Sequence, residues 1–312
     1  MKARILSALV FANLSAGGFG QDWPKAYSLP PGEIIVDRTD DSSSGFTTPS
    51  YQITSPAELS PDLLNQLVRT AESVAGVLQS LPLPLYSPPE GRKPTIAIFT
   101  SEASYRKAGG APGTAGYYDG RKAQVLLQWE HFRPKSDPEG EPVQANFELL
   151  VHELTHLGMH RFIDISPPWL TEGVAEYLAA THTSEGNYDF TKVDNLIRDR
   201  LKQNSPANLQ SIPLLELRKV IDLNSRSWHR MTAEGDPFDV LKAYKSSLLL
   251  THFYFHGGSE RRDQMKSYLR ELAKVDFRKE ERPSLIPVTM ITSIQAKLTR
   301  YWAQRGVKLD WQ

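Results

Sequence analysis

Two histidines and a glutamate stand close together in a Val-His-Glu-Leu-Thr-His segment, which places them at His152, Glu153 and His156. Residues four apart on an α-helix point to the same side, so the two histidines lie one turn apart if residues 144–161 are helical. Two imidazoles in that arrangement can bind one Zn²⁺, and Glu153 beside them can act on a metal-bound water. The spacing predicts a metal site that still needs a third protein ligand.

The first two candidates for that third ligand, His160 and Glu172, lie later in the chain. His160 lies another turn along the same helix, and on a straight helix it cannot close a tetrahedron with His152 and His156. Glu172 belongs to a second predicted helix, which can return antiparallel to the first after the Ser-Pro-Pro break at residues 166–168. The pattern favours Glu172 over His160.

The third candidate, Glu176, follows Glu172 by one helical turn on the same face. If Glu172 binds the metal, Glu176 can accept a hydrogen bond from Nδ1 of His152 or His156 and fix the orientation of that ring. A solvated surface carboxylate is the alternative for Glu176. We predict His152, His156 and Glu172 as ligands and Glu176 as the residue that orients a histidine.

Hydrophobic periodicity and capping signals predict the elements that position these residues. Predicted helices cover residues 60–78, with Ser60 as N-cap, 169–181, 194–201, 240–255, 261–274 and 291–302, besides the metal helix that Pro142 opens and a helical turn at 101–107. Predicted strands cover residues 51–53, 95–99 and 123–128, and a loop covers 232–237. The last strand alternates only partly, as an edge strand does, and an exposed edge there can pair with an extended peptide. An internal strand is the alternative.

Length and composition indicate a globular protein: the chain has 312 residues, of which 40% are hydrophobic. Lys plus Arg and Asp plus Glu both total 36, so no bulk charge attracts the chain to nucleic acid or to an anionic membrane. The absence of cysteine excludes disulfides, cysteine zinc sites and cysteine nucleophiles. The site must therefore be built from histidine and carboxylate side chains.

Residues 1–20 have the pattern of a secretory signal peptide, because Lys2 and Arg4 precede an apolar run that small residues follow. Cleavage is expected after Gly20, with cleavage after Gly18 as the alternative. The apolar run is shorter than the roughly 20 residues that span a bilayer, which disfavours a membrane anchor. We predict a secreted or periplasmic protein without stable membrane insertion after cleavage.

The HELTH motif and the Trp-Leu-Thr-Glu-Gly-Val-Ala-Glu-Tyr-Leu motif that starts at Trp169 resemble those of the gluzincin zinc metallopeptidases. In that family the second motif supplies the third ligand, here Glu172. The Gly-Tyr-Tyr-Asp segment from Gly116 and the Ala-Tyr-Lys-Ser-Ser-Leu segment from Ala243 extend the resemblance to the small secreted peptidase-MA-like gluzincins, many of undefined function. The resemblance covers residues 51–257. The metzincin pattern does not fit, since it needs a glycine and a histidine where this chain has Met159 and Phe162.

The resemblance implies an α+β fold, in which a small mixed or antiparallel sheet packs on the metal helix and a mainly helical C-terminal lobe follows. The sheet lobe would extend to about residue 165 of a domain covering residues 51–312, after an extended lead-in at 21–50. The implied reaction is hydrolysis of a peptide or protein substrate with one Zn²⁺. Glu153 would take the proton of the metal-bound water and pass it to the leaving amine.

The resemblance also names Tyr244 as the donor that stabilises the oxyanion, with Tyr118 and His229 as further candidates. A purely structural role in the core is the alternative for Tyr244.

Two other functions stay open. One is a zinc-binding module without peptidase activity that serves binding or assembly. The other is a metal-free interaction domain, which burial of unpaired Glu153 and Glu172 would make costly. The pattern does not determine substrate, cleavage specificity or oligomeric state.

Overall fold

The computed structural model of the chain describes residues 22–32, 34, 36–38, 45–136, 142–143, 145–203, 210–274 and 283–312. The predicted signal peptide lies outside the described residues, and so do parts of the predicted lead-in and the first residue of the predicted metal helix, Gln144.

The described residues form a mixed α+β structure with several small sheets. The strands are β1 Ala26–Ser28, β2 Asp37–Arg38, β3 Gly45–Thr47, β4 Gln52–Thr54, β5 Thr95–Phe99, β6 Gly116–Asp119, β7 Gln124–Gln128, β8 Lys135–Ser136, β9 Pro142–Val143, β10 His182–Ser184, β11 Asn187–Asp189, β12 Ile212–Leu214 and β13 Leu309–Trp311. The helices are α1 Pro61–Ser80, α2 Glu102–Ala108, α3 Trp129–Phe132, α4 Phe147–Gly158, α5 His160–Ile163, α6 Pro168–Thr181, α7 Val193–Lys202, α8 Leu217–Asp222, α9 Ser225–Glu234, α10 Pro237–His256, α11 Ser259–Leu272 and α12 Ile291–Ala303, with a 3-10 turn at Val288–Met290.

The largest sheet has the strand order β2-β3-β4-β5-β7-β6 and is mixed, because β5 runs parallel to β4 and β7 while the other pairs are antiparallel. Of the two alternatives for residues 123–128, the internal strand is correct and the edge strand is not. The chain reverses after β6 and brings β7 between β5 and β6, which leaves β6 at the edge. Val125, Leu126 and Leu127 are all buried, so both faces of β7 are covered, and that explains its weak alternation.

Side-chain caps mark the first residues of α1 and α4. The Ser60 hydroxyl accepts a hydrogen bond from the Leu63 N–H at 3.2 Å, so α1 begins where the sequence predicted. The metal helix is shorter than predicted and does not begin at Pro142, which lies in β9. Asn146 caps it instead, because its side chain accepts a hydrogen bond from the Leu149 N–H at 3.1 Å.

The metal helix also ends earlier than residue 161. The carbonyl of Gly158 accepts a hydrogen bond from the Ser87 N–H at 2.7 Å, and Met159 leaves helical geometry with φ −100° and ψ 20°. His160 therefore starts the separate short helix α5. The predicted loop at residues 232–237 is also wrong in part, since α9 continues to Glu234 before α10 begins.

Helix α6 lies between α4 and α10 and packs closely against both. A side chain at Gly173 of α6 would place its Cβ 2.2 Å from Oγ1 of Thr251 and 2.4 Å from the carbonyl oxygen of Ser247, so glycine permits the contact with α10. Helix α4 in turn packs on α1, β6 and β7. The two helices that carry the predicted ligands are thus fixed between the sheet and α10.

The start of the described chain also packs on the helices. Strand β1 pairs with β11, and the ring of Trp23 contacts those of Tyr177, Phe190 and Phe255. Among the described residues, every helix is too short or too polar to cross a membrane.

Candidate metal centre

His152, His156 and Glu172 bring three ligand atoms to one point. The Nε2 atoms of the two histidines are 3.1 Å apart. Oε2 of Glu172 lies 3.3 Å from Nε2 of His152 and 3.4 Å from Nε2 of His156. Two nitrogen or oxygen ligands bound tetrahedrally to one zinc ion are separated by about 3.3 Å, since each lies about 2 Å from the metal. The three atoms therefore have the spacing of one face of a tetrahedral metal site.

Local geometry explains why these residues meet. The two histidines lie one turn apart in α4, as their spacing predicts, and Glu172 lies in the first half of α6. Pro167 is extended, with φ −65° and ψ 145°, and ends the turn between the helices just before α6 begins at Pro168. The chain can then return along α4, so that the carboxylate of Glu172 faces both imidazoles.

The donor set fits a bound cation. Oε2 of Glu172 is buried, and its neighbours in the described part of the chain are the Nε2 atoms of the two histidines, at 3.3 and 3.4 Å, with which it forms no well-aligned hydrogen bond. A buried carboxylate oxygen without a donor is costly, whereas a metal ion on the open side of the triangle would satisfy it. Two imidazoles and one carboxylate are also a known ligand set for zinc.

The charges around the triangle also favour a cation. Burial by itself would lower the pKa of His152, but the close contacts with Glu172 and Glu176 raise that pKa to about 10. Burial would raise the pKa of Glu172, but the neighbouring imidazoles of His156 and His152 lower it to about 2. The carboxylates therefore favour positive charge beside them, which is the charge that a bound cation would supply.

Glu176 occupies the predicted position beside a ligand. Its Oε1 lies 3.1 Å from Nδ1 of His152, and its Oε2 accepts a hydrogen bond from Nε of Arg200 at 2.8 Å. Nη1 of Arg200 also donates to Oε2 of Glu148, at 2.6 Å. Sequence reasoning missed Arg200 and Glu148. The only available signal was that Glu148 precedes His152 by one helical turn.

Glu153 lies next to the triangle and is buried, with 7% of its surface exposed. Burial raises the pKa of its carboxyl group, and the charges of His152 and His156 lower it by less. Strand β6 confines the side chain, because a Cβ at Gly116 would lie 2.8 Å from both Cγ and Oε1 of Glu153. The side chain is thus confined between α4 and β6, and Glu153 borders both cavities that His152 borders.

The triangle borders a cleft with two arms. One cavity of about 450 Å³ lies between α4, α7 and α10, and another of about 230 Å³ lies between β6, α6 and α9. The residues that border both cavities are Thr114, Gly116, His152, Glu153, Thr232 and Tyr244. The candidate metal site therefore borders the smaller cavity with all three residues and the larger cavity through His152.

The three predicted donors have different surroundings. The ring of Tyr244 lies at the junction of the arms, 6.2 Å from that of His152 and edge-on to Trp228. Burial, together with the nearby glutamates, raises the pKa of Tyr244 well above its usual value, so its hydroxyl keeps its proton. The hydroxyl of Tyr118, in contrast, is hydrogen bonded to Nδ1 of His160 at 2.8 Å. His229 is exposed on α9 and borders the smaller cavity.

Comparison of the sequence with models of known protein families and with curated proteins found no match. The resemblance of the two motifs to gluzincins stays a prediction, and the geometry of the site carries the functional proposal.

Proposed function

We propose that this protein is a zinc metallopeptidase that hydrolyses peptide bonds. One observation carries the proposal: the triangle formed by His152, His156 and Glu172 has tetrahedral ligand spacing and lies beside Glu153 in a cleft. The two imidazoles and the carboxylate favour zinc over harder divalent ions, which prefer oxygen ligands. When bound, the zinc ion supplies a Lewis acid that polarises a carbonyl and lowers the pKa of water to about 7.

Glu153 would move the protons of the reaction. Its carboxylate borders both arms of the cleft, so it can accept a proton from the attacking water and donate it to the leaving amine. Burial favours the protonated form of Glu153, which helps it to hold the proton between these steps. Gly116 supports this role because it leaves the space that the Glu153 side chain occupies.

Tyr244 is the proposed donor to the oxyanion. Its protonated hydroxyl group belongs to a ring that borders both arms beside His152. Tyr118 is a weaker candidate because His160 already engages its hydroxyl. A donor that stabilises developing negative charge contributes about 10²- to 10³-fold to kcat in other hydrolases.

The edge strand and the architecture support a peptide substrate. β6 is the edge of the six-stranded sheet and includes Gly116 at the junction of the arms. An extended peptide can add to such an edge through main-chain hydrogen bonds. A sheet on α4, followed by a helical region that supplies Glu172, is the arrangement expected of a minimal gluzincin. Export through a signal peptide is part of the same proposal.

Zinc content and turnover of a Glu153→Gln variant test this function. Purified wild type should contain one zinc ion and cut unstructured peptides, whereas the variant should keep zinc and lose at least 10²-fold in kcat. A wild type that binds no metal would overturn the proposal. Zinc binding without cleavage of a broad peptide panel would instead support the alternative of a binding or assembly module.

A further inference from the structure

Arg200 connects the two helices that carry the ligands. Its Nε donates to Oε2 of Glu176 on α6 at 2.8 Å, and its Nη1 donates to Oε2 of Glu148 on α4 at 2.6 Å. We infer that Arg200 is a positioning residue of the metal centre, which acts on His152 through Glu176. The inference rests on the proposed metal site but does not require peptidase activity.

The two oxygens of Glu176 contact different partners. Oε1 lies 3.1 Å from Nδ1 of His152, and Oε2 accepts from Arg200. A carboxylate held at both oxygens cannot rotate freely, so it fixes the plane of the imidazole that contacts it. It also keeps Nδ1 of His152 as the donor, which leaves Nε2 free to bind the metal.

The guanidinium group of Arg200 has the geometry to hold both carboxylates. It is planar and has several fixed N–H directions, so one arginine can bind two carboxylates in a set orientation. Glu148 precedes His152 by one turn on the same helix, so the contact with Arg200 also fixes the start of α4 relative to α6. The side chains of Arg200 and Glu176 are only 20% and 14% exposed, so water competes little for the contact between them, whereas Glu148 is 41% exposed and its contact is weaker.

Helix α7 has a second anchor that provides a matched control. Oδ2 of Asp194 accepts from Nε of Arg305 at 2.6 Å, and Oδ1 accepts from the hydroxyl of Tyr301 at 2.9 Å. These bonds join α7 to the C-terminal part of the chain and involve none of the residues of the triangle. Loss of Arg305 should therefore weaken the attachment of α7 without changing the orientation of His152.

The test compares zinc affinity in Arg200→Met, Arg305→Met and wild type, measured by competition with a chromophoric chelator at constant pH. Loss of a group that orients a ligand typically costs about 10- to 100-fold in metal affinity. We expect that loss for Arg200→Met and less than about threefold for Arg305→Met. Arg200→Lys should fall between Arg200→Met and wild type, because it keeps the charge but cannot hold both carboxylates.

A double variant shows whether Arg200 acts through Glu176. If it does, zinc affinity of Arg200→Met combined with Glu176→Gln should be no lower than that of Glu176→Gln alone. Additive losses, wild-type affinity in a folded Arg200→Met, or an equal loss in Arg305→Met would overturn the inference. If Arg200→Met does not fold, the same comparison is made with Arg200→Lys. A wild type without zinc would contradict the metal site itself, and zinc binding without peptide cleavage would contradict only the peptidase function.

Discussion

Gly116 of β6 and Glu153 of α4 are so close that a methyl group on Gly116 would overlap the glutamate side chain, at 2.8 Å from Cγ and Oε1. We predict that Gly116→Ala lowers kcat on a peptide substrate by about 10- to 100-fold, because displacement of a catalytic group by about 1 Å costs that much. Zinc content should not change, since Gly116 is no ligand. Steady-state kinetics with metal analysis would measure both effects.

Gly120→Ala is the control for this prediction. It changes the turn after the same strand, where a Cβ would meet its nearest neighbour, the ring of Tyr118, at an ordinary 3.6 Å. Its kcat should stay within about threefold of wild type. Equal kcat for Gly116→Ala and Gly120→Ala would show that β6 does not position Glu153.

Removal of zinc should lower the melting temperature. A ligand that binds only the folded state adds about 4 kcal/mol to the free energy of unfolding when its free concentration is 1,000 times Kd. Differential scanning fluorimetry with zinc and with excess chelator would give the difference for wild type. In Glu172→Ala the difference should largely vanish, because one ligand of the triangle is missing. An unchanged difference in that variant would exclude Glu172 as a ligand.

Gly173→Ala should destabilise the protein by about 1 to 3 kcal/mol, the usual cost of overpacking a core. The added Cβ would overlap Oγ1 of Thr251 and the carbonyl oxygen of Ser247, forcing α6 away from α10. The measurement is the free energy of unfolding in urea. Because Glu172 is the neighbouring residue, zinc affinity should fall as well. Full stability in this variant would mean that the two helices separate at little cost.

Stability should fall as the pH decreases from 7 to 4. Burial lowers the pKa of His182 to about 4, whereas in the unfolded chain its pKa is about 6.5. Between these values the unfolded state binds more protons, so the contribution is complete above about pH 7 and is lost in acid. In His182→Gln the loss between pH 7 and pH 4 should be smaller by about 1 to 3 kcal/mol.

Chemical denaturation at both pH values, with chelator present, isolates the effect of His182. The chelator removes zinc from both proteins, so protonation of the empty metal site affects wild type and variant alike. If the free energy of unfolding depends on pH in the same way in wild type and in His182→Gln, folding does not lower the pKa of His182.

The two arms of the cleft predict cleavage of internal peptide bonds. Two cavities share His152 and Glu153 among the described residues that line them, so a substrate that occupied both would extend in two directions from the bond that is cut. Peptides with acetylated N-termini and amidated C-termini should be cleaved as fast as the same peptides with free ends, within about threefold. Mass spectrometry of the products would locate the cut. Release of single terminal residues from free peptides alone would indicate an exopeptidase instead.

The sequence by itself determined the local features of the site. Helical periodicity puts His152 and His156 on one face and Glu172 one turn before Glu176, and the Ser-Pro-Pro break at residues 166–168 separates the two helices. These predictions succeeded because they depend on residues only a few positions apart. The same locality explains why α1 was predicted from its cap, Ser60.

Tertiary structure alone decided what surrounds the ligands. Arg200 reaches Glu176 across 24 positions and Glu148 across 52, and no periodicity in the sequence links such distant residues. The edge of the sheet is also a tertiary property, because β6 takes that position only when β7 pairs with β5. At the end of α4, the carbonyl of Gly158 accepts a hydrogen bond from Ser87, far earlier in the chain. Spacing thus specifies the candidate ligands, whereas packing between distant segments specifies how these side chains are held.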